Sequence, residues 1–363
     1  MKVALVHDHL MQLGGAERVL AAFAETFPEA PVYTLMYDSA SAEVVVDKNK
    51  LRATKLQYLP FKKLVYRATL PMMPRAIESL DLTEYDVVLS SASSFAKGVK
   101  VREDAVHLCY CHTPPRYLWS DAEKYISSLP YPDFVKKIIS KLVPRLRTWD
   151  YAAAQRVTHF IANSREVAGR IQKHYGKNSV VLYPPLTLQV KPRLSPKPYF
   201  LTGGRLVQYK RFDTVVDAFT RLKLPLIVYG DGPDLSRLRA RAGHNITFVE
   251  RVTDDIVASL YSEARAFIHP QLEDFGITAI EAMASGCPVI AYNRGGAAES
   301  VLDGVTGVLY DEQSWEAIGD AVIRFESDKF VTTVIQERGA SFSKDNFQRQ
   351  LRILVEQAYA NRG

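Results

Sequence analysis

The sequence predicts an α/β protein of two domains, each carrying a parallel sheet. Three observations lead to that expectation. The chain has 363 residues, too many for one ordinary core and about right for two. Strand-length apolar runs alternate with helical patterns from end to end, the signature of βαβ units. The alternation breaks once, at Tyr183-Pro184-Pro185 followed by Pro192, Pro196 and Pro198, and then restarts. Proline fixes φ and supplies no amide to a ladder, so this stretch is expected to be an interdomain linker. Two α/β units so joined are expected to face one another across a cleft, a common place for a ligand.

In the first half, Val3–Val6 is predicted as a buried strand. A helix is predicted over Ala16–Phe27, with Val19, Leu20, Phe23 and Phe27 on one face. Asp86–Ser90, Val106–Cys111 and Val157–Ala162 are predicted strands. Asn163-Ser164 caps a helix that runs through Val167 and Ile171 to Tyr175, where Gly176 stops it. In the second half, strands are predicted at Tyr199–Thr202, Leu226–Tyr229, Ile246–Val249, Ala266–His269 and Val289–Ala291. Phe212–Leu222 is a helix, and Gly230-Asp231-Gly232-Pro233 is a turn opening another. The last segment, Phe347–Tyr359, is amphipathic through Leu351, Leu354, Val355 and Ala358.

Composition narrows the class. The chain is 47% hydrophobic and 24% charged, and no apolar run approaches the roughly 18 residues that span a bilayer. The N-terminus enters a strand-like run at once, without the long apolar stretch of a signal peptide, so the cytoplasm is the expected location. A net charge of +6 favours acidic partners such as phosphates or anionic lipid. No basic–aromatic cluster dominates, so nucleic acid is not expected as a partner. Cys109 and Cys111 lie two apart in an apolar run and point to one side; a lone C-x-C supplies too few metal ligands, and small buried hydrophobes are expected, as for Cys287.

Four segments carry candidate chemistry. In His269–Gly286 a strand ends near His269, Asp274-Phe275-Gly276 turns, and a helix starts at Ile277, with Gly286 and Pro288 as stop signals. Glu273 precedes that helix and Glu281 lies inside it. Each carboxylate can accept two hydroxyl bonds, which suits a sugar and a ribose, while the free amides of the helix start suit a phosphate. In Thr202–Arg211, after a strand and before a helix, Arg205 offers a planar fork and Lys210 a point charge to one diphosphate. Fixed cations there stabilise the charge that grows as a sugar–phosphate bond breaks; Arg211 is the rival cation. In Gln12–Arg18, Gly14 and Gly15 allow close backbone approach at a helix start. In Tyr110–Trp119, His112 stands at a strand exit beside prolines.

Glu273 and Glu281, separated by seven residues, resemble the E-x7-E motif of retaining glycosyltransferases. The strings E-D-F-G and E-A-M-A-S-G around them are similar to family 4. The string Cys111-His112-Thr113-Pro114-Pro115-Arg116-Tyr117-Leu118-Trp119 resembles a mannosyltransferase-rich branch of that family. So do Leu146–Asp150, Phe160–Ser164 and Tyr183-Pro184-Pro185, and the resemblance runs through nearly the whole chain. It implies the GT-B architecture: Rossmann-like domains at 1–185 (acceptor side) and 186–345 (nucleotide-sugar side), with a helix at 346–363 packing back on the first. It implies catalytic roles for His112, Arg205, Lys210 and Glu273. Substrate contacts are implied for Gly14, Gly15, Glu250, Arg251, Asp274, Phe275, Gly276, Ile277 and Glu281, with Glu281 on the ribose, and His112 and Glu273 at the sugar.

The reaction so implied moves a hexose, mannose from GDP-mannose, to a saccharide or lipid-linked acceptor with retention, in glycan or polysaccharide synthesis. No metal and no separate cofactor are expected, because two cations face the diphosphate and no D-x-D pair appears. Two departures stand out. Leu272 occupies a place where an acid is common. Glu250, often a glycine near the nucleobase, could accept from the two adjacent donors of guanine. The alternatives are a UDP-sugar donor and a nucleotide-sugar epimerase of the same architecture, which should lack the E-D-F-G helix string. Neither strand–helix junction carries G-x-G-x-x-G, and neither a P-loop nor H-E-x-x-H occurs. Basic and apolar residues mingle in Leu59–Arg75, with Lys62, Lys63, Arg67 and Arg75, so contact with anionic lipid at the inner face of the membrane is a further expectation.

Overall fold

A computed structural model describes residues 1–60, 69–120, 122, 126 and 132–362. Apolar runs too continuous for a one-sided sheet form the centre of each half. The chain divides into two units, Met1–Tyr183 with Phe347–Gly363, and Pro184–Asn346.

In the first unit the strands are β1 (Val3–His7), β2 (Val32–Thr34), β3 (Leu51–Ala53), β4 (Val87–Ala92), β5 (Val106–Cys111), β6 (His159–Ala162) and β7 (Ser179–Val181). Their order is β3-β2-β1-β4-β5-β6-β7, all parallel. Successive residues of β5 go to opposite sides: Cys109 and Cys111 join the core cluster that holds Ala4, Val6 and Val88. Leu108 and Tyr110 join the cluster that holds Leu5 and Leu89. Both faces are therefore buried, as a parallel sheet requires. The helix Gly15–Thr26 covers one face together with the last helix, Lys344–Ala360, whose Phe347 stacks on Phe23 at 6.1 Å between centroids.

The second unit repeats the plan with β8 (Phe200–Gly203), β9 (Leu226–Tyr229), β10 (Ile246–Val249), β11 (Phe267–His269), β12 (Val289–Tyr292) and β13 (Gly307–Tyr310). The order is β10-β9-β8-β11-β12-β13, again parallel. In each sheet the order reverses beside the first strand, between β1 and β4 and between β8 and β11. Loops leaving the carboxyl ends of such a pair diverge and open a crevice.

The short strands β2, β3, β7 and β13 were not expected; each carries a polar residue or a glycine, Thr34, Arg52, Ser179 and Gly307, that shortens its apolar run. Nor was the helix Asp133–Gln155, which runs through Pro144. The expected linker is not a free tether. Beyond Tyr183 it is strapped to the helix Asp254–Glu263: Leu194 N–H donates to the Ser262 carbonyl (3.1 Å), Lys197 N–H to Glu263 (2.8 Å), and Arg193 to the Tyr261 carbonyl (2.9 Å). Among the described residues no helix is long and apolar enough to cross a membrane. Lys62, Lys63 and Arg67 of the expected lipid-binding stretch lie outside the described residues.

Candidate active site

The switch point of the second unit holds a charge pair. Gly203-Gly204 ends β8, and a short 3₁₀ turn at Gln208–Lys210 returns the chain to the helix Phe212–Leu222. Lys210 Nζ lies 2.8 Å from Glu273 Oε1, both side chains mostly covered, and 3.8 Å from the point where a Cβ on Gly204 would stand. The buried His269 ring, at the end of β11, has Nε2 3.8 Å from Glu273 Oε2. Burial opposes ionisation of Glu273, but His269 and Lys210 outweigh it and hold the carboxyl down at about 2. Gly276 starts the next helix with φ +84°, where a Cβ would stand 3.2 Å from His269 Nε2. That helix, Ile277–Ala284, carries the buried Glu281 one side-chain row further on, and Phe275 packs on Phe342 at 5.8 Å.

Other expected residues of this unit are placed differently. Arg205 is exposed just beyond β8, whereas Arg211, at φ +57°, is tied to Asp213 (3.3 Å). Glu250 follows β10 and is ion-paired with Arg239, a partner the sequence reading did not anticipate; Arg251 is exposed at φ +51°. Leu272 is exposed beside Glu273, and the Gly296 amide donates to the Glu273 carbonyl (2.9 Å), so the loop after β12 braces the turn.

The switch point of the first unit is a cavity of about 510 Å³ lined by His7, Asp8, Gly14, Gly15, Glu17 and Ser94, among others. The two oxygens of Asp8 accept four backbone amides, from Ser93, Ser94, Phe95 and Ala96, at 2.6–2.8 Å. The carboxylate thereby shapes the loop after β4. His112, one residue beyond β5, approaches Ser91 Oγ at 2.8 Å through Nε2; Ser91 Oγ lies 3.1 Å from His7 Nδ1, and His7 Nε2 lies 3.7 Å from Glu17 Oε1. Burial, with His7 nearby, pushes the His112 pKa down to about 4. Burial raises the Glu17 pKa, but His7 outweighs it and the net shift is downward. A Cβ on Gly14 would stand 3.1 Å from Glu17 Oε2, so this glycine makes room for the acid.

A second polar centre lies beneath that cavity. Lys97 and Asp150 form an ion pair with both side chains 1% exposed, and Asp150 Oδ2 also accepts from Trp119 Nε1 (2.8 Å) and the Tyr175 hydroxyl (2.7 Å). His7, Asp8, Ser91 and Lys97 were not among the expected site residues, and Asp150 entered only through the Leu146–Asp150 string. The available signal was polar residues ending apolar strands: His7-Asp8 after Val3–Val6 and Ser90-Ser91 after Val87–Leu89. Among the described residues no group of three or more His, Cys, Asp and Glu is placed to hold a metal ion.

Each unit matches a family of known proteins. The model described as Glycosyltransferase Family 4 matches residues 13–190, and that of Glycosyl transferases group 1 matches residues 187–344. A GDP-mannose-dependent alpha-(1-6)-phosphatidylinositol monomannoside mannosyltransferase of Mycobacterium tuberculosis is 32% identical over 160 residues, covering 39% of this chain and 42% of the relative. The match thus spans about two fifths of that relative's length. An uncharacterized glycosyltransferase of Methanocaldococcus jannaschii is 25% identical over 292 residues, 73% of this chain and 72% of the other. In fold, the chain is similar to Anabaena HepE in complex with UDP, at TM-score 0.71 and 17% identity over 98% of this chain and 100% of that one. With two Rossmann-like domains of the GT-B type and both family models matched in succession, the chain belongs to the family 4 and group 1 glycosyltransferases.

Proposed function

We propose that this protein is a retaining glycosyltransferase that moves mannose from GDP-mannose to a hydroxyl of a saccharide or lipid-linked acceptor. The observation that carries the reading is the Lys210–Glu273 pair at the second switch point, with Glu281 on the adjoining helix. The pair is partly covered yet reachable, and Lys210 needs only to exchange one anionic partner, Glu273, for another, a diphosphate. Glu273 is then released toward the sugar, where its low pKa keeps it an acceptor for hydroxyl protons. The exposed Arg205 supplies a second cation. Charge develops on the β-phosphate as the anomeric C–O bond breaks, and fixed cations lower the barrier by meeting it. With retention, the acceptor oxygen bonds the anomeric carbon on the face the phosphate leaves, and its proton passes to a phosphate oxygen.

The donor is proposed from those relatives that are described as GDP-mannose-dependent. Glu250 would accept from guanine after exchanging the Arg239 guanidinium for the base. Fold neighbours with UDP in their structures keep a UDP-sugar as the second reading. A turnover screen across GDP and UDP sugars, with and without acceptor, and NMR of the product anomer tests all of this. GDP-mannose is expected to be fastest, with a retained anomer. A UDP preference overturns the donor, an inverted product overturns the mechanism, and an epimerised donor without acceptor overturns transfer.

A further inference from the structure

The row Glu17, His7, Ser91 and His112 contains one hydroxyl between two imidazoles, and a hydroxyl has one proton to give. Its direction is therefore set by whichever end is fixed. Asp8, the nearest other carboxylate, has both oxygens occupied by backbone amides and does not compete. Glu17 is the fixed end: it is held ionised by its surroundings and faces His7 Nε2 at 3.7 Å. That distance is too long for a full hydrogen bond, but a carboxylate there still favours a proton on the facing nitrogen. A neutral His7 protonated on Nε2 has a bare Nδ1, which accepts from Ser91. Ser91 Oγ must then accept from His112 Nε2–H at 2.8 Å. The remaining nitrogen of His112, Nδ1, is left with its lone pair, and among the described residues no side chain engages it. We propose that Glu17, His7 and Ser91 are positioning residues that fix the tautomer of His112, so that its Nδ1 is a hydrogen-bond acceptor for a sugar hydroxyl.

The proposal deepens the glycosyltransferase reading and rests on it for the word sugar; the tautomer itself does not. Were the row reversed, His112 would present an N–H and could only donate. The neutral ring follows from burial of His112, and the edge of the Tyr110 ring, at 5.2 Å between centroids, limits its rotation. The same row gives Gly14 a role: a methyl there presses on the Glu17 carboxylate.

Long-range ¹H–¹⁵N correlation on the intact, histidine-labelled protein at about pH 8, where ordinary imidazoles are neutral, reads which nitrogen of each ring carries the proton. The expected result is His112 protonated on Nε2 and His7 on Nε2. A His112 proton on Nδ1 in the wild-type protein overturns the proposal without any variant. In Ser91→Ala the His112 signal should become a mixture of tautomers, with kcat on the best donor down roughly tenfold from lost orientation. Glu17→Gln, which keeps the shape, should show the same mixture; an unchanged tautomer in both variants also overturns it. If no donor is turned over by the wild-type protein, the glycosyltransferase reading fails while the tautomer result still stands or falls by the spectra.

Discussion

The two units solve the same topological problem with opposite chemistry. Each opens a crevice where its strand order reverses, and each lines it with polar residues from the ends of the two central strands. In the first unit the charges are consumed internally. Asp8 is closed by four amides, Lys97 and Asp150 neutralise one another out of solvent, and His112 is held neutral. What remains to a visitor is a cavity of hydrogen-bonding groups, Ser94 and the His7-paired Glu17 carboxylate among them, which suits hydroxyls. In the second unit Lys210 and Glu273 stay charged and partly open, which suits an anion that can exchange with the carboxylate. Where charge is spent on the fold, and where it is left available, separates the two crevices.

The contrast makes ordered expectations. Lys210→Ala should lower transfer by about 10²- to 10³-fold, the usual cost of removing a group that stabilises transition-state charge; steady-state kinetics with GDP-mannose measures it, and near-normal kcat refutes the role. Arg205→Ala should fall in the same range. Lys97→Ala should instead act on stability, leaving a buried carboxylate unpaired at a cost of about 3 kcal/mol. Urea unfolding followed through Trp119 and Trp149 should move while that of Trp315, in the second unit, stays in place. A shift common to all three, or none, breaks the distinction.

Acid should also part the two units. His112 has a folded pKa of about 4 against an ordinary 6.5, so the unfolded chain binds more protons in that window. The first unit should lose stability as pH falls from about 6.5 toward 4. The Glu273 carboxyl is lowered from 4.5 to about 2, and its contribution is fully present above 4.5 and lost as pH falls from there toward 2. Thermal melts at stepped pH should therefore soften the first unit sooner. The smallest effect is expected at Ser164, whose hydroxyl accepts from Val167 N–H at 3.1 Å and caps the helix Arg165–Tyr175. Ser164→Ala should cost about 1 kcal/mol with no change in donor affinity.

Much of this was legible in the residues, and the limits have physical causes. Strands buried on both faces announce themselves as apolar runs, so Val106–Cys111 and Leu226–Tyr229 were read to their ends, and the apolar edge strand Ile246–Val249 was as well. Caps and stops are local chemistry, which is why Ser164, Gly176 and the start at Ile277 could be placed. Short strands broken by a polar residue, such as Leu51–Ala53, leave little apolar run to read, and Pro144 argues against a helix that tertiary packing nevertheless carries through. The Glu273 and Lys210 segments were visible as motifs, but their contact joins residues 63 apart and depends on parallel β8 and β11. Ser91 lies 84 positions from His7 and 21 from His112, and only the register of β1, β4 and β5 brings the three together.

Hydrogen exchange with and without GDP-mannose locates the donor without relying on turnover. New protection is expected across 203–211 and 273–281 in the second unit, with Lys210→Ala abolishing it. Protection confined to 8–17 and 93–117 of the first unit, with 203–281 unchanged, contradicts the assignment of the open charge pair to the diphosphate.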